Sequence, residues 1–84
     1  MYINNFKGYD IYLSDKYPKK YYALINNKKI YFGDMRYGQY HDKLGYYSNI
    51  DHFDRNRRSM FWKRHAKSIN KIGTPGWFSL HILW

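Results

Sequence analysis

The chain has 84 residues and a formal net charge of +9, with fifteen Lys and Arg against six acidic residues, all of them Asp. It has no cysteine, which excludes disulfides and thiolate metal sites, and no glutamate, which removes much of the usual acid–base chemistry of enzymes. A chain this short forms one domain at most, and without a covalent staple its stability is marginal. We expect a single domain over residues 1–84, with residues 1–18 either part of it or a loosely ordered arm.

The first predicted strand is Tyr9–Leu13, where apolar residues alternate with Asp10 and Tyr12. A turn is predicted to follow, because Pro18 cannot donate to a strand ladder. Nineteen aromatic residues (Tyr 11, Phe 5, Trp 3) predict a core built largely from rings.

The clearest local pattern is a β-hairpin. Two strand-forming runs, Tyr21–Ile25 and Lys29–Phe32, flank Asn26-Asn27, and asparagine tolerates the positive φ of a tight turn. The second strand is predicted to end at Gly33-Asp34. The side chains that we expect on the inner face are Tyr22, Leu24, Ile30 and Phe32.

Residues 35–47 contain two glycines and no sustained period, which predicts an irregular loop and a candidate binding surface. Tyr17, Tyr21, Tyr37, Tyr40, Tyr46 and Tyr47 are candidates for exposed rings among the basic residues, and the alternative, which we favour for any single ring, is a place in the aromatic core. Exposed rings suit base stacking on single strands, and they equally suit protein interfaces.

A long amphipathic helix is predicted next, capped by Ser48 or Asn49, with acidic residues in its first turns and Gly73 as its stop. Asp51–Arg55 and Asp54–Arg58 have the spacing of i,i+4 ion pairs. The apolar arc would contain Phe61, Trp62, His65, Ala66, Ile69 and Ile72. The opposite arc would contain Arg57, Lys63, Arg64, Lys67 and Lys71, with Arg55 and Arg58 near the apolar side.

Thr74 as N-cap and Pro75 at the first helical position favour a short helix over Trp77–Trp84 rather than a strand. This uncharged segment must be buried, since an exposed one would aggregate. The expected fold class is therefore α+β: an antiparallel hairpin or three-stranded sheet packed on an amphipathic helix, plus a short Trp-rich C-terminal helix.

No catalytic, cofactor or metal motif is present, so we expect a protein that is not an enzyme and has no cofactor. The four histidines have no zinc-site spacing, and phosphate-binding loops and nucleophile elbows are absent. No apolar run approaches the length of a membrane span and the N-terminus lacks a signal-peptide core, so we expect no membrane partner and no secretion.

Three motifs of the chain occur in the same order in a known family. The matching residues are Asn27, Lys28, Lys29, Phe32 and Gly33, then Arg57, Arg58, Phe61, Arg64 and His65, then Gly76, Phe78, Ser79, Leu83 and Trp84. Over about residues 19–84 the chain resembles small basic proteins of large nucleocytoplasmic DNA viruses (giant viruses and their algal-virus relatives), which have motifs like NGKKVHFG, RRxxYxxRH and FWSRWLLW. The turn here reads Asn-Asn in place of Asn-Gly, and His81 stands at a basic or aromatic position. The resemblance implies a viral protein of the virion or of the host cytoplasm or nucleus, and it supplies no catalytic residues.

The basic residues of the helix are the best functional candidates, because a cationic stripe can follow a phosphate backbone. We expect non-catalytic, electrostatic binding of DNA or RNA. The predicted nucleic-acid-binding residues are Arg55, Arg57, Arg58, Lys63, Arg64, Lys67 and Lys71. The alternative is a minor capsid or cement-type structural protein, whose positive charge would neutralise acidic viral proteins. Neither function needs a small-molecule substrate.

Overall fold

Four antiparallel strands form one sheet in the computed structural model, which describes residues 1–84. The strands follow each other in space as they do along the chain: β1 (Tyr2–Phe6), β2 (Tyr9–Leu13), β3 (Lys19–Ile25) and β4 (Lys28–Asp34). The α+β class is confirmed, and so are β2 and the β3–β4 hairpin. The sheet has one strand more than predicted, because β1 pairs with β2 where a loose arm was the alternative.

Both hairpin turns at one end of the sheet use positive φ angles. Asn26 and Asn27 have φ of 49° and 66°, as the predicted two-residue turn requires, and Lys7 and Gly8 have φ of 49° and 91°. Such turns match the right-handed twist of the strands, so each hairpin is encoded locally.

The inner face of β3 was predicted wrongly. Tyr21 and Ala23 are fully buried, whereas Leu24 is exposed and Tyr22 lies on the outer face. On β4 the prediction is confirmed, since Phe32 is buried and Ile30 packs against the core. Because side chains alternate between the two faces of a strand, an error of one residue in the predicted pattern assigns every side chain to the wrong face.

Residues 35–47 form an irregular connection, as expected, but it continues to residue 54 and includes only one short 3₁₀ turn, at Ser48–Ile50, where the helix was predicted to begin. The N-cap of helix α1 (Arg55–Arg64) is five residues later than Asn49, the latest predicted cap. This N-cap is Asp54, whose carboxylate accepts from the backbone N–H groups of Asn56 and Arg57 at 2.9 and 3.1 Å. The predicted ion pairs of Asp51–Arg55 and Asp54–Arg58 do not form; Asp54 pairs with Arg57 instead.

The predicted continuous helix to Gly73 is also wrong. Regular α-helix ends at Arg64, because His65 leaves the helical conformation at φ −108° and ψ 20°, and only a 3₁₀ turn at Ala66–Ser68 follows. Since helical phase is lost at His65, Ala66 and Ile72 are exposed rather than aligned with Phe61.

The C-terminal segment is helical and buried, as predicted. Helix α2 (Pro75–Phe78) begins with the side chain of Thr74 accepting from the Trp77 N–H, and a π-helical turn, Ser79–Leu83, continues it. Together these turns supply half of the core cluster: Trp77, Phe78, Ile82 and Leu83, which pack on Ile11, Tyr21, Ala23 and Phe32 of the sheet.

The core therefore differs from the expected arrangement in which the long helix covers the sheet. Phe78 stacks on Phe32 at 5.2 Å between ring centroids, and Trp77 lies edge-on to Phe6 and Tyr9. Helix α1 has no buried residue and packs at the border of this core. No helix in the structure has the length and apolar character needed to cross a membrane.

Candidate functional site

A cleft of about 510 Å³ opens where α1, the C-terminal segment and one end of the β3–β4 hairpin meet. We call it the cationic cleft. It is lined by Lys19, Lys20, Gly33, Asp34, Tyr37, Gly38, His52, Arg57, Phe61, Arg64, Ser79, Leu83 and Trp84. A volume of this size is in the range of small-ligand sites, and it can accommodate part of a larger molecule.

The charge of the cationic cleft is unbalanced. Lys19, Arg57 and Arg64 contribute three cationic side chains, and Asp34 is the only carboxylate among the lining residues. Arg36 neutralises that carboxylate through two hydrogen bonds from its guanidinium, at 3.0 and 2.7 Å, which lower the pKa of Asp34 to about 2. The cleft therefore favours an anionic ligand.

Helix geometry brings two of these cations together. Arg57 and Arg64 are seven residues apart, which is two turns, so they lie on the same face of α1. Arg57 Nε lies 3.7 Å from Asp54 Oδ2 in an exposed pair, which holds the guanidinium only weakly. Arg64 has no carboxylate partner and can pair with a ligand.

Stacked rings form the apolar wall of the cleft. Phe61 of α1 lies between Trp84 and His65, with centroid distances of 4.4 and 4.1 Å. His52 contacts Trp84 at 5.1 Å between ring centroids. The rings are largely engaged with one another, whereas Tyr37 at the mouth of the cleft is 67% exposed and offers a free aromatic face.

His52 adds an unused hydrogen-bond donor to this wall. Its Nδ1 accepts from the Asp54 N–H at 2.9 Å, so the proton of the neutral ring is on Nε2, which is buried and has no partner. Burial and the nearby Arg57 lower the pKa of His52, which favours this neutral form.

The predicted binding residues do not form one stripe. Arg57 and Arg64 line the cationic cleft, whereas Arg55 and Arg58 line a separate, shallower groove with Tyr40, Ser59 and Trp62. Lys63, Lys67 and Lys71 are exposed outside both. The break at His65 separates Lys67 and Lys71 from the face of α1. The expectation of a single cationic stripe along one helix is therefore wrong.

Arg58 is engaged within the chain. Its Nε donates to the main-chain oxygen of Trp84 at 2.8 Å, and its guanidinium lies 5.0 Å from the centre of the Tyr40 ring and 5.7 Å from that of Trp62. These contacts tie α1 to the C-terminal segment. Arg58 is therefore a structural residue more than a free ligand for an anion.

Sequence reasoning missed the contribution of β3 and of His52, whereas Tyr37 lies in the loop that was predicted to be a binding surface. Lys19, Lys20, Tyr37 and His52 reach the cleft from parts of the chain that no helical period connects to α1. Three of the candidate exposed tyrosines are not exposed: Tyr21 is fully buried, and Tyr40 and Tyr47 are half-buried. The one sequence signal that could have indicated the contribution of β3 was the adjacent pair Lys19-Lys20, directly before the predicted hairpin.

Behind the cleft lies a buried polar network. Lys20, Gln39 and Asp42 are the only buried polar residues of the chain, at 2%, 0% and 1% exposure. Asp42 accepts from the Tyr21 hydroxyl at 2.5 Å and from two loop N–H groups. Lys20 Nζ donates to the Gln39 side-chain carbonyl, and Gln39 Nε2 donates to Asp51. This network fixes the loop against the sheet.

Comparisons with known proteins give no relative: no family model, curated protein or solved structure matches the chain.

Proposed function

We propose that this protein binds nucleic acid without catalysing a reaction, and that it holds phosphate groups in the cationic cleft. The observation that carries the proposal is the convergence of Lys19, Arg57 and Arg64 on one cleft whose only carboxylate is neutralised by Arg36. Arginine binds phosphate bidentately, and contacts of this kind are independent of base sequence. Binding is therefore electrostatic and weakly sequence-selective.

The rest of the surface supports a polyanionic ligand. Of the fifteen Lys and Arg residues, only Lys29, Arg36 and Arg57 form ion pairs with Asp. The unpaired cations at Lys63, Lys67 and Lys71 add long-range attraction and extend the contact beyond the cleft. As part of the same proposal, and on the resemblance to giant-virus proteins alone, we expect this activity in a virion or an infected cell.

A salt series of binding measurements tests the proposal. Fluorescence anisotropy with single- and double-stranded DNA and RNA probes would compare the wild type with Arg57→Gln/Arg64→Gln. We expect the double variant to bind at least about tenfold more weakly at low salt, because each charge-assisted contact contributes ~1.5–3 kcal/mol. The magnitude of the slope of log K against log salt should fall by about 1.4 with single strands and about 1.8 with double-stranded DNA.

The matched control is Lys7→Gln/Lys28→Gln, which removes the same charge at the opposite end of the sheet, beside the two hairpin turns. Its salt slope should stay close to that of the wild type. Equal losses in the two double variants would mean that net charge alone drives binding, and the cleft would be the wrong site. Absence of salt-dependent binding to every probe would remove the proposed function.

The outer face of the sheet favours a second candidate function, in protein assembly. Tyr2, Tyr12, Tyr22 and Tyr31 form a row across all four strands, with neighbouring ring centroids 5.1 to 5.6 Å apart. The C-terminal helical segment packs on the opposite face of the sheet, and tyrosine is enriched in protein interfaces. Such a tyrosine-rich face suits a minor capsid or cement-type protein. Trp77, at 5% exposure, is buried in the core and is not available for such a contact.

The double variant Tyr12→Ser/Tyr22→Ser separates the two functions. If the sheet face is the functional contact, this variant should lose incorporation into virus particles while keeping its affinity for nucleic acid. Arg57→Gln/Arg64→Gln should show the opposite pattern if the cleft is the functional contact.

A further inference from the structure

Lys20 is a buried lysine without an ion pair. It is 2% exposed, and none of the ion pairs of the chain includes it. Its Nζ donates to two neutral carbonyl oxygens, the backbone oxygen of Tyr37 at 3.0 Å and the side-chain oxygen of Gln39. A buried ammonium with no carboxylate in contact is costly, and burial lowers the pKa of Lys20. Burial therefore shifts this amine towards its neutral, nucleophilic form.

The side chain that faces this amine is a fully buried carboxamide. Gln39 is 0% exposed, and its Oε1 accepts from Lys20. Its Nε2 donates to the Tyr47 backbone oxygen at 2.9 Å and to Asp51 Oδ1. The amide orientation follows from these partners, because an amine needs an acceptor and the two oxygens need a donor. The carbonyl of Gln39 is thus turned to the amine and its NH₂ group to a carboxylate.

Asp51 completes the cluster. Its side chain is 3% exposed and, besides Gln39, it contacts the Asp42 N–H at 2.8 Å and His41 Nδ1 at 3.1 Å. Burial alone would raise the pKa of Asp51, but the hydrogen bonds from Gln39, the Asp42 N–H and His41 outweigh it and lower the pKa. A buried amine, a buried carboxamide and a buried carboxylate thus lie in one chain of contacts.

We propose that Lys20 and Gln39 form an intramolecular isopeptide bond, with Asp51 as the catalytic carboxylate. The lone pair of the neutral Lys20 amine attacks Cδ of Gln39, and the Nζ–Cδ bond forms. In the tetrahedral intermediate Nζ and Nε2 share one carbon, so Asp51 Oδ1 can take a proton from Nζ and return it to Nε2. The Cδ–Nε2 bond then breaks and ammonia leaves. The reaction needs no oxidant, cofactor or second substrate.

The proximity of the Lys20 amine and the Gln39 amide would accelerate this step. The two groups are held together by the fold, and an intramolecular arrangement can replace a very high concentration of an external reactant. The terminal torsion of a glutamine is soft, so Cδ can present the face of its amide plane to the amine. Burial also keeps water away from the amide, which leaves the amine as the only nucleophile in contact.

The bond would give this domain the covalent staple that its composition otherwise excludes. It would join the start of β3 to the irregular connection that follows β4. The segment between residues 20 and 39 would then be a covalently closed loop. A crosslink of this kind restricts the unfolded chain, which is how small domains without a large core commonly gain stability. It would also remove the buried charge of Lys20.

The mass of the intact, purified chain tests the proposal directly. We expect the folded protein to weigh less than its sequence by one ammonia, and tandem mass spectrometry of a digest to find residues 20 and 39 in one branched peptide. Folded protein that keeps the full sequence mass after days of incubation at pH 8 would overturn the proposal. This result does not depend on nucleic-acid binding.

Three variants assign the roles, each compared with the mass of its own sequence and checked for folding by circular dichroism. Lys20→Met and Asp51→Asn should keep their full masses, whereas the control Lys28→Met should still lack one ammonia. A deficit in Lys20→Met would place the loss of ammonia elsewhere and overturn the linkage. A linked peptide from Asp51→Asn would overturn the catalytic role of Asp51. If a variant does not fold, the mass of the wild type still decides whether the bond exists.

Discussion

Phe61 lies flat against Trp84, with their ring centroids 4.4 Å apart and their planes 5° from parallel. Because His65 stacks on Phe61 as well, at 4.1 Å, both faces of this ring are in contact. Helix α1, which has no buried residue, is thus held by rings at its border with the C-terminal segment. The positions of Arg57 and Arg64 in the cationic cleft depend on this attachment.

Replacing Phe61 by Ala should lower the free energy of unfolding by about 1–3 kcal/mol, less than for a fully buried ring, because the side chain is half-buried. Urea unfolding measures the change. Phe78→Ala, at a residue with 0% exposure, should cost ~3–5 kcal/mol, and Met60→Ala on the exposed face of α1 about 0.5 or less. Equal costs for Phe61 and Met60 would show that the stack does not hold α1.

Arg58 and Arg64 should separate stability from binding. Arg58→Gln loses the hydrogen bond to Trp84 and should cost ~1 kcal/mol of stability, with a small effect on nucleic-acid affinity. Arg64→Gln has no ion pair to lose, so it should keep the stability and weaken binding. Urea unfolding and anisotropy on both variants provide the measurements. A loss of affinity in Arg58→Gln as large as in Arg64→Gln would contradict the structural role of Arg58.

Gly33 should tolerate no side chain. It has φ of 76°, and a Cβ there would lie 2.9 Å from Leu83 Cδ1 and 3.0 Å from Lys20 Cβ. We expect Gly33→Ala to destabilise the domain by ~1–3 kcal/mol through backbone strain and overpacking. Gly8→Ala is the matched control, because Gly8 has φ of 91° with nothing within 4 Å. The difference between their thermal midpoints measures the contact term, and identical midpoints would mean that Leu83 and Lys20 move aside.

Acid should weaken the domain through two aspartates over one pH range. Arg36 lowers the pKa of Asp34 to about 2, and hydrogen bonds from Lys29 and Tyr31 lower that of Asp15 to about 2. Their pKa values in the unfolded chain are ~3.9, so their stabilisation is complete above that pH and is lost as the pH falls towards 2. Carboxyl NMR titration of the folded protein checks the values. In Arg36→Gln the Asp34 pKa should rise towards ~3.9, and a titration that stays near pH 2 would show that another group holds it.

Local patterns predicted the elements that local chemistry determines. Tyr9–Leu13, the Asn26-Asn27 turn and the Thr74-Pro75 helix start depend on residues adjacent in the chain, and the structure has all three. The inner face of β3 depends instead on which side Phe78 covers. That choice is made by tertiary packing, and the aromatic residues on both sides of β3 gave the pattern no preference.

The site was less accessible to sequence reasoning than the fold. A helical projection placed Arg57 and Arg64 on one face correctly because both lie within α1. It failed for Lys67 and Lys71 because His65, where regular helix ends, is neither Gly nor Pro and gives no stop signal. Lys19 and His52 reach the cleft only through the chain path of the hairpin and the loop, which no period encodes.

The order of the elements along the chain has a consequence for synthesis. All four strands precede residues 75–83, which bury the inner face of the sheet. While the chain emerges from the ribosome, the hairpins can form one after another, since each joins sequence neighbours. The apolar inner face of the sheet nevertheless remains exposed to solvent until Trp77 and Phe78 leave the exit tunnel and pack on it. During that interval a chaperone could bind the nascent chain.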